Sequence, residues 1–276
     1  MLSAIYRFFQ ETQPIHITGA LRHAGLWLTA SFSDVVYLNP KHEPSKHQVE
    51  NIAVYCVHGT ADRSNSFSLI AGRMLKEREG LSGKISTIHL SAFNGRYQGN
   101  DIEFFAKQLL EKIKKNEHKN VILMGHSRGG LVIAYLTEYL AKIADVNVLC
   151  VIPICSPFMG SGLAMSPLSS LSGSVKEMEH FSDFLKDLEA KILKTTTPYF
   201  YFAAENDDIV SPKSCCIPQH SQRMRELSRH GHLSIMSSWR LTYLLQNCIA
   251  DVLNVKAELA DEKEPAQSDN RYMPTK

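Results

Sequence analysis

No charge of one sign dominates this sequence. Its 30 lysines and arginines face 28 aspartates and glutamates, for a formal net charge of +2 over 276 residues. A clustered basic face, the electrostatic footprint of nucleic-acid binding, is not expected, and nucleic acid drops out as a partner. The basic run Lys112 to Lys119 ends a predicted helix, where cations in a solvated last turn complement the dipole. Cysteine is sparse: it occurs at 56, 150, 155, 215, 216 and 248, with no C-x-x-C pair and no zinc-type spacing to histidine. No metal site is expected from these residues. Cys56, Cys150 and Cys155 lie in apolar runs and read as buried reduced thiols.

Long apolar runs are also missing. The first residues, MLSAIYRFFQETQP, lack a basic stretch leading into an apolar one, and Ala24 to Phe32 is too short to span a bilayer. A reducing, cytoplasmic compartment is the expectation, with membrane-surface association and non-classical secretion left open. What is present is ordinary globular composition, 44% apolar and 21% charged, in a chain long enough for one large core.

Residues 1–50 read as a helical leader followed by a polar linker, NPKHEPSKHQVEN. Leu21, Leu28, Phe32 and Val35 fall near one helical face, which suits either packing on the body or docking on a membrane surface. Residues 51–256 form the body. Here strands at 52–57, 84–90, 120–125, 146–154 and 198–204 alternate with helices near 65–79, 100–115, 128–144 and 233–255. Such alternation specifies an α/β fold, a mostly parallel sheet with helices on both faces. Residues 257–276 are polar and read as a disordered tail.

The most informative segment is GHSRGG, 125–130, between a predicted strand and a predicted helix. A serine at that junction must turn sharply, in a strained conformation that exposes its hydroxyl. Gly125 and Gly129 remove side chains that would collide in the turn, and Gly130 lets the helix approach the strand. The Arg128 amide would open the helix, where N–H groups and the dipole favour an oxyanion. A serine nucleophile needs a base held by a third group. AAENDDIVSP and HGHLSIM offer Asp207 and His232 at the carboxyl ends of later elements. Asp208 and Glu205 remain alternative acids, and His230, with a surface role as its plainer reading, an alternative base.

With CVHGT (56–60), GHSRGG, ICSPFMGSGLA (154–164), ENDDIVSP and GHLS in place, residues 52 to about 250 resemble the α/β-hydrolase superfamily, in its lipase and esterase branch. The resemblance implies a triad of Ser127, Asp207 and His232 in that chain order. It also implies an oxyanion hole from the Thr60 and Arg128 amides, and no cofactor. Ser156 and Phe158 depart from the lipase pattern, which has Thr and His there.

An insertion between Ser156 and Thr197 carries a capping-box pattern, Ser174 with Glu177. Met178, Phe181, Leu185, Leu188 and Ile192 then predict one apolar helical face: a packed cap, or a lid over an acyl cleft. The expected activity is hydrolysis of an ester or lipid through an acyl-enzyme. A thioesterase or acyltransferase would share the triad, and a non-catalytic lipid- or protein-binding module is the reading of another class.

Overall fold

The computed structural model describes residues 14–30, 32–42, 51–60, 62–76, 83–95, 98–162, 164 and 172–253. The expected tail at 257–276 and most of the linker lie outside them. The described chain opens with helix α1 (Pro14–Thr29) and strand β1 (Val35–Leu38). The run IAVYCV forms β2 (Ile52–Val57), every residue buried. Because successive side chains point to opposite faces, Ala53, Tyr55 and Val57 join one core while Ile52, Val54 and Cys56 join the other. This two-sided burial is why the run is continuously apolar rather than alternating.

Helix α2 (Ser68–Lys76) precedes β3 (Ile85–Ser91), and α3 (Ile102–Lys115) precedes β4 (Asn120–His126). Asp101 caps α3, its side chain accepting from Phe104 N at 2.8 Å. Ile102, Phe105, Ala106, Leu109 and Ile113 form the buried stripe of α3, at helical spacing. Its basic end is less solvated than expected, since Lys112 Nζ donates to both carboxylate oxygens of Asp34, at 2.8 and 2.7 Å. Helix α4 (Arg128–Tyr135) widens into a π-helical turn over Leu136–Ala141 before β5 (Asn147–Ile154). Short helices α5 (Gly173–Glu177) and α6 (Asp183–Ile192) lead to β6 (Tyr201–Ala204) and β7 (Met224–Leu227), and α7 (Trp239–Val252) ends the described chain.

The seven strands form one sheet in the order β1-β3-β2-β4-β5-β6-β7, parallel except for β1 on β3. From β3 the chain crosses over β2 to β4. The order therefore reverses between β2 and β4, and open α/β sheets bind ligands at the carboxyl end of such a switch point. Two strands escaped the sequence reading. Val35 belongs to edge strand β1 rather than to a helical face, so the leader is part of the sheet and not a separate segment. β7 escaped because MREL is half exposed and polar, as suits an outer strand. Leu21, Leu28 and Phe32 are exposed, although the Arg63 guanidinium of the body lies 4.5 Å from the Phe32 ring centroid.

The insertion also differs from expectation. Ser174 lies inside α5 with Ser172 before it, so the predicted capping box does not form. Instead the Glu177 carboxylate accepts from Ile102 N at 2.7 Å, serving the start of α3. The single apolar helix is broken: Phe181 sits at φ 61° and is exposed, and Ser182 starts α6 by accepting from Leu185 N. Met178, Leu185, Leu188 and Ile192 are buried in the main core, so the cap is packed on the body.

Burial pushes the Glu177 carboxyl up to about 7, helped by the nearby charges of Asp101 and Glu103 and opposed by the Ile102 amide. Its folded pKa therefore lies above its unfolded one. That contribution to stability is complete below about pH 4.3 and is lost as pH rises through about 7. Glu177→Gln keeps an acceptor for Ile102 N without the charge. Thermal melts from pH 5 to 8 should show the variant gaining stability over the parent toward pH 8. An unchanged difference across that range would rule out this assignment.

Candidate active site

Ser127 stands between β4 and α4 with φ 55° and ψ −128°, outside the regions that L-residues favour. Such a conformation costs roughly 1–3 kcal/mol and persists only where surrounding packing enforces it. That packing is visible. A Cβ at Gly125 would collide with the backbone of Gly129, and one at Gly129 with the Val57 carbonyl. Ser127 N donates to Ile154 O at 2.9 Å, fastening the turn to β5. Arg128 is the first residue of α4, and first-turn amides have no intrahelical acceptor. Thr60 lies in the turn after β2, the strand next to β4.

Asp207 follows β6, and His232 lies in the segment leading to α7. Their side chains meet, with His232 Nδ1 2.8 Å from Asp207 Oδ2. The other Asp207 oxygen accepts from Ile209 N and Val210 N at 2.9 and 2.8 Å. Burial opposes ionisation of Asp207, but the His232 hydrogen bond and charge and the two amides outweigh it and hold the carboxyl below its usual range. The acceptor is a carboxylate, so His232 carries its proton on Nδ1 and leaves Nε2 unprotonated.

The competing acids and base fall elsewhere. Asp208 and Glu205 are exposed, and Glu205 accepts from Arg229 N at 2.9 Å. His230 is buried rather than on the surface, with Nδ1 2.8 Å from Ser228 O.

Ser127, His232, Gly59, Thr60, Asp62 and His126 are among the residues that line a cavity of about 260 Å³. Pro157, Ala164, Val175, Met178, Ile209, Val210 and Leu233 supply apolar walls, Val175 and Met178 from the cap. The structure thus brings Ser127, Thr60 and His232 to one cavity, with Asp207 behind His232.

Three contributors went unseen in the sequence. Cys155, at φ 47° and fully buried, places its sulfur within 4.8 Å of the Asp207 and His232 donor atoms. Those three donors are close enough to share an ion. Without an ion, burial pushes the Cys155 thiol well up, so a protonated sulfur lies beside the Asp207–His232 pair. Asp62 and His23 are the other two, and no spacing signal links them, because they come from different elements.

A family model for lecithin:cholesterol acyltransferase matches residues 85–224, half of the chain, including Ser127 and Asp207. The chain belongs to the lecithin:cholesterol acyltransferase family. A sequence search of curated proteins finds no match. Among solved structures, a Bacillus licheniformis lipase superposes with a TM-score of 0.54 at 16% identity, over 78% of this chain and 98% of that one. A Paleococcus ferrophilus monoacylglycerol lipase gives 0.55 at 14%, over 80% and 98%. An Oleispira antarctica hydrolase gives 0.52 at 14%, over 79% and 94%. At these identities the likeness establishes the α/β-hydrolase fold.

The Arg128 side chain is also buried, although the sequence reading used only its amide. Its guanidinium lies 4.0 Å from the Phe105 ring centroid and Nη1 is 3.4 Å from Ser174 Oγ, linking the elbow helix to α3 and the cap. Arg128→Ala leaves a large void and removes the cation–π contact, and should cost roughly 2–4 kcal/mol in urea unfolding. A loss under about 0.5 kcal/mol, the range of ordinary surface substitutions, would show that the contact is not structural.

Proposed function

We propose that this member of the lecithin:cholesterol acyltransferase family is a serine hydrolase that cleaves carboxylic esters of apolar acyl chains. The observation that carries the reading is the strained Ser127 sharing a cavity with a His232 whose Nδ1 is held by an ionised Asp207. In this mechanism Ser127 Oγ attacks the ester carbonyl while His232 Nε2 takes its proton. Asp207 fixes the tautomer and stabilises the imidazolium. The Thr60 and Arg128 amides hold the tetrahedral oxyanion, each donor being worth about 3 kcal/mol. His232 then protonates the leaving alcohol, and water resolves the acyl-enzyme. The apolar cavity wall supports an acyl substrate.

Transfer of the acyl group to an alcohol instead of water is a second reading, favoured by the family to which the chain belongs. It uses the same triad, so only the acceptor distinguishes the two.

The test is reaction of the folded chain with a fluorophosphonate probe, followed by turnover of p-nitrophenyl esters of increasing acyl length. Labelling and hydrolysis that strengthens with acyl length are expected. A fall in free fatty acid matched by new ester when a long-chain alcohol is added would select acyl transfer. No labelling, even with detergent or liposomes, would overturn both readings in favour of a non-catalytic module. No described helix is long and apolar enough to cross a membrane. Membrane-surface contact through the leader's exposed Leu21, Leu28 and Phe32 is therefore a proposal for liposome co-sedimentation to decide.

A further inference from the structure

We propose that Asp62, oriented by His23 of the leader helix, is a positioning residue that ties the oxyanion turn, the elbow and the His232 loop into one unit. This rests on the reading of the site as a serine hydrolase. Asp62 lines the cavity and is only 7% exposed. Its amide donates to Gly59 O at 3.3 Å, closing the turn that carries Thr60, and its Oδ1 accepts from Arg63 N at 2.8 Å. The remaining carboxylate oxygen, Oδ2, lies 3.2 Å from His23 Nε2 and 3.9 Å from His126 Nδ1.

His126 directly precedes Ser127, and its other ring nitrogen, Nε2, is 2.9 Å from the carbonyl oxygen of His232. A carbonyl oxygen only accepts, so His126 donates from Nε2 and leaves Nδ1 without a proton when neutral. Burial, with the adjoining His232, keeps His126 neutral, its imidazole pushed down to about 3. Nδ1 and the Asp62 carboxylate are both acceptors, so their 3.9 Å contact is packing alone: Asp62, with His23 beyond it, backs the ring that the Nε2 bond fastens to His232. Burial opposes the Asp62 charge, yet the interaction with His23 and the Arg63 amide hold its carboxyl below the usual range.

The same helix braces His232 from a second side. Gly19 packs so closely on Ser234 that an added Cβ would lie 2.6 Å from the Ser234 Cβ. Ser234 Oγ accepts from Gly231 N at 2.8 Å, and His16 Nδ1 lies 3.4 Å from that hydroxyl. The leader thus reaches His232 through Asp62 and His126, and again through Ser234. A leader serving only to cover an apolar face would have no use for a buried His–Asp pair at the cavity wall.

The test uses the full chain with His23→Leu, His23→Gln and His23→Asn. Gln can place its amide nitrogen near the position of His23 Nε2, whereas Asn is too short to reach Asp62. Measured quantities are kcat and KM for a p-nitrophenyl ester, the fluorophosphonate labelling rate, and Tm. His23→Leu is expected to lower kcat and labelling rate roughly 10–100-fold, as small misplacements of reacting groups do, with KM within about twofold. His23→Gln should recover most of the loss and His23→Asn should not. If His23→Leu fails to fold, the Gln and Asn pair carries the comparison alone. Activity that follows Tm across the variants, or equal activity of Gln and Asn, would overturn the proposal. Wild type that neither labels nor turns over would instead overturn the hydrolase reading, and this proposal with it; labelling that Ser127→Ala abolishes keeps that reading intact whatever the His23 variants show.

Discussion

Ser127→Ala is expected to abolish fluorophosphonate labelling and to reduce ester turnover by roughly 10⁴–10⁶-fold, the range for removing an activated serine nucleophile. The loss should fall on kcat, because the apolar cavity wall proposed to bind the acyl chain is untouched by removal of one hydroxyl. Stability should change little. Alanine at φ 55° keeps the same backbone strain, which the Gly125, Gly129 and Ile154 contacts impose rather than the hydroxyl. Labelling retained in the alanine variant would place the nucleophile elsewhere and sink the proposed mechanism. A large fall in Tm would mean that the hydroxyl has a structural role.

Asp207→Asn is expected to lower kcat by about 10⁴-fold at neutral pH, because an amide can present its N–H to His232 and select the wrong tautomer. Geometry should survive, since the side-chain oxygen can still accept from Ile209 N and Val210 N. A second consequence concerns pH. The folded pKa of Asp207 lies below its unfolded value, so the ionised group contributes stability above about pH 4 that is lost as pH falls through the folded pKa. Acid unfolding of the asparagine variant should therefore be less steep than that of the parent. Activity within tenfold of wild type would assign the acid role to another carboxylate, and Asp208→Asn and Glu205→Gln would then be compared.

Residues whose surroundings are local proved legible. β2 and β4 are buried on both faces, and such burial demands uninterrupted apolar runs that survive in IAVYCV and NVILMG. The elbow was legible because its glycines and serine must be adjacent in the chain to make the turn. Asp207 and His232 were legible only through their places after later elements. The break at Phe181 was not, because a helical period runs through it while Ser182 starts a new helix by a local hydrogen bond. Glu177 was misassigned for a related reason: its partner, Ile102, lies 75 residues away.

The sequence by itself determined the class of fold and the position of the strained serine, since those depend on periodicity and on adjacent residues. Only the tertiary structure decided that the leader adds β1 to the sheet, and that the His232 hydrogen bond falls to Asp207 rather than Asp208 or Glu205. It also decided that Asp62 lies between His23 and His126, next to the His232 backbone. These side-chain pairs lie 25 to 64 positions apart. Side chains so distant leave no periodic trace, because what brings them together is the crossover at β2 and β4 and the packing of α1 on the far end of the chain.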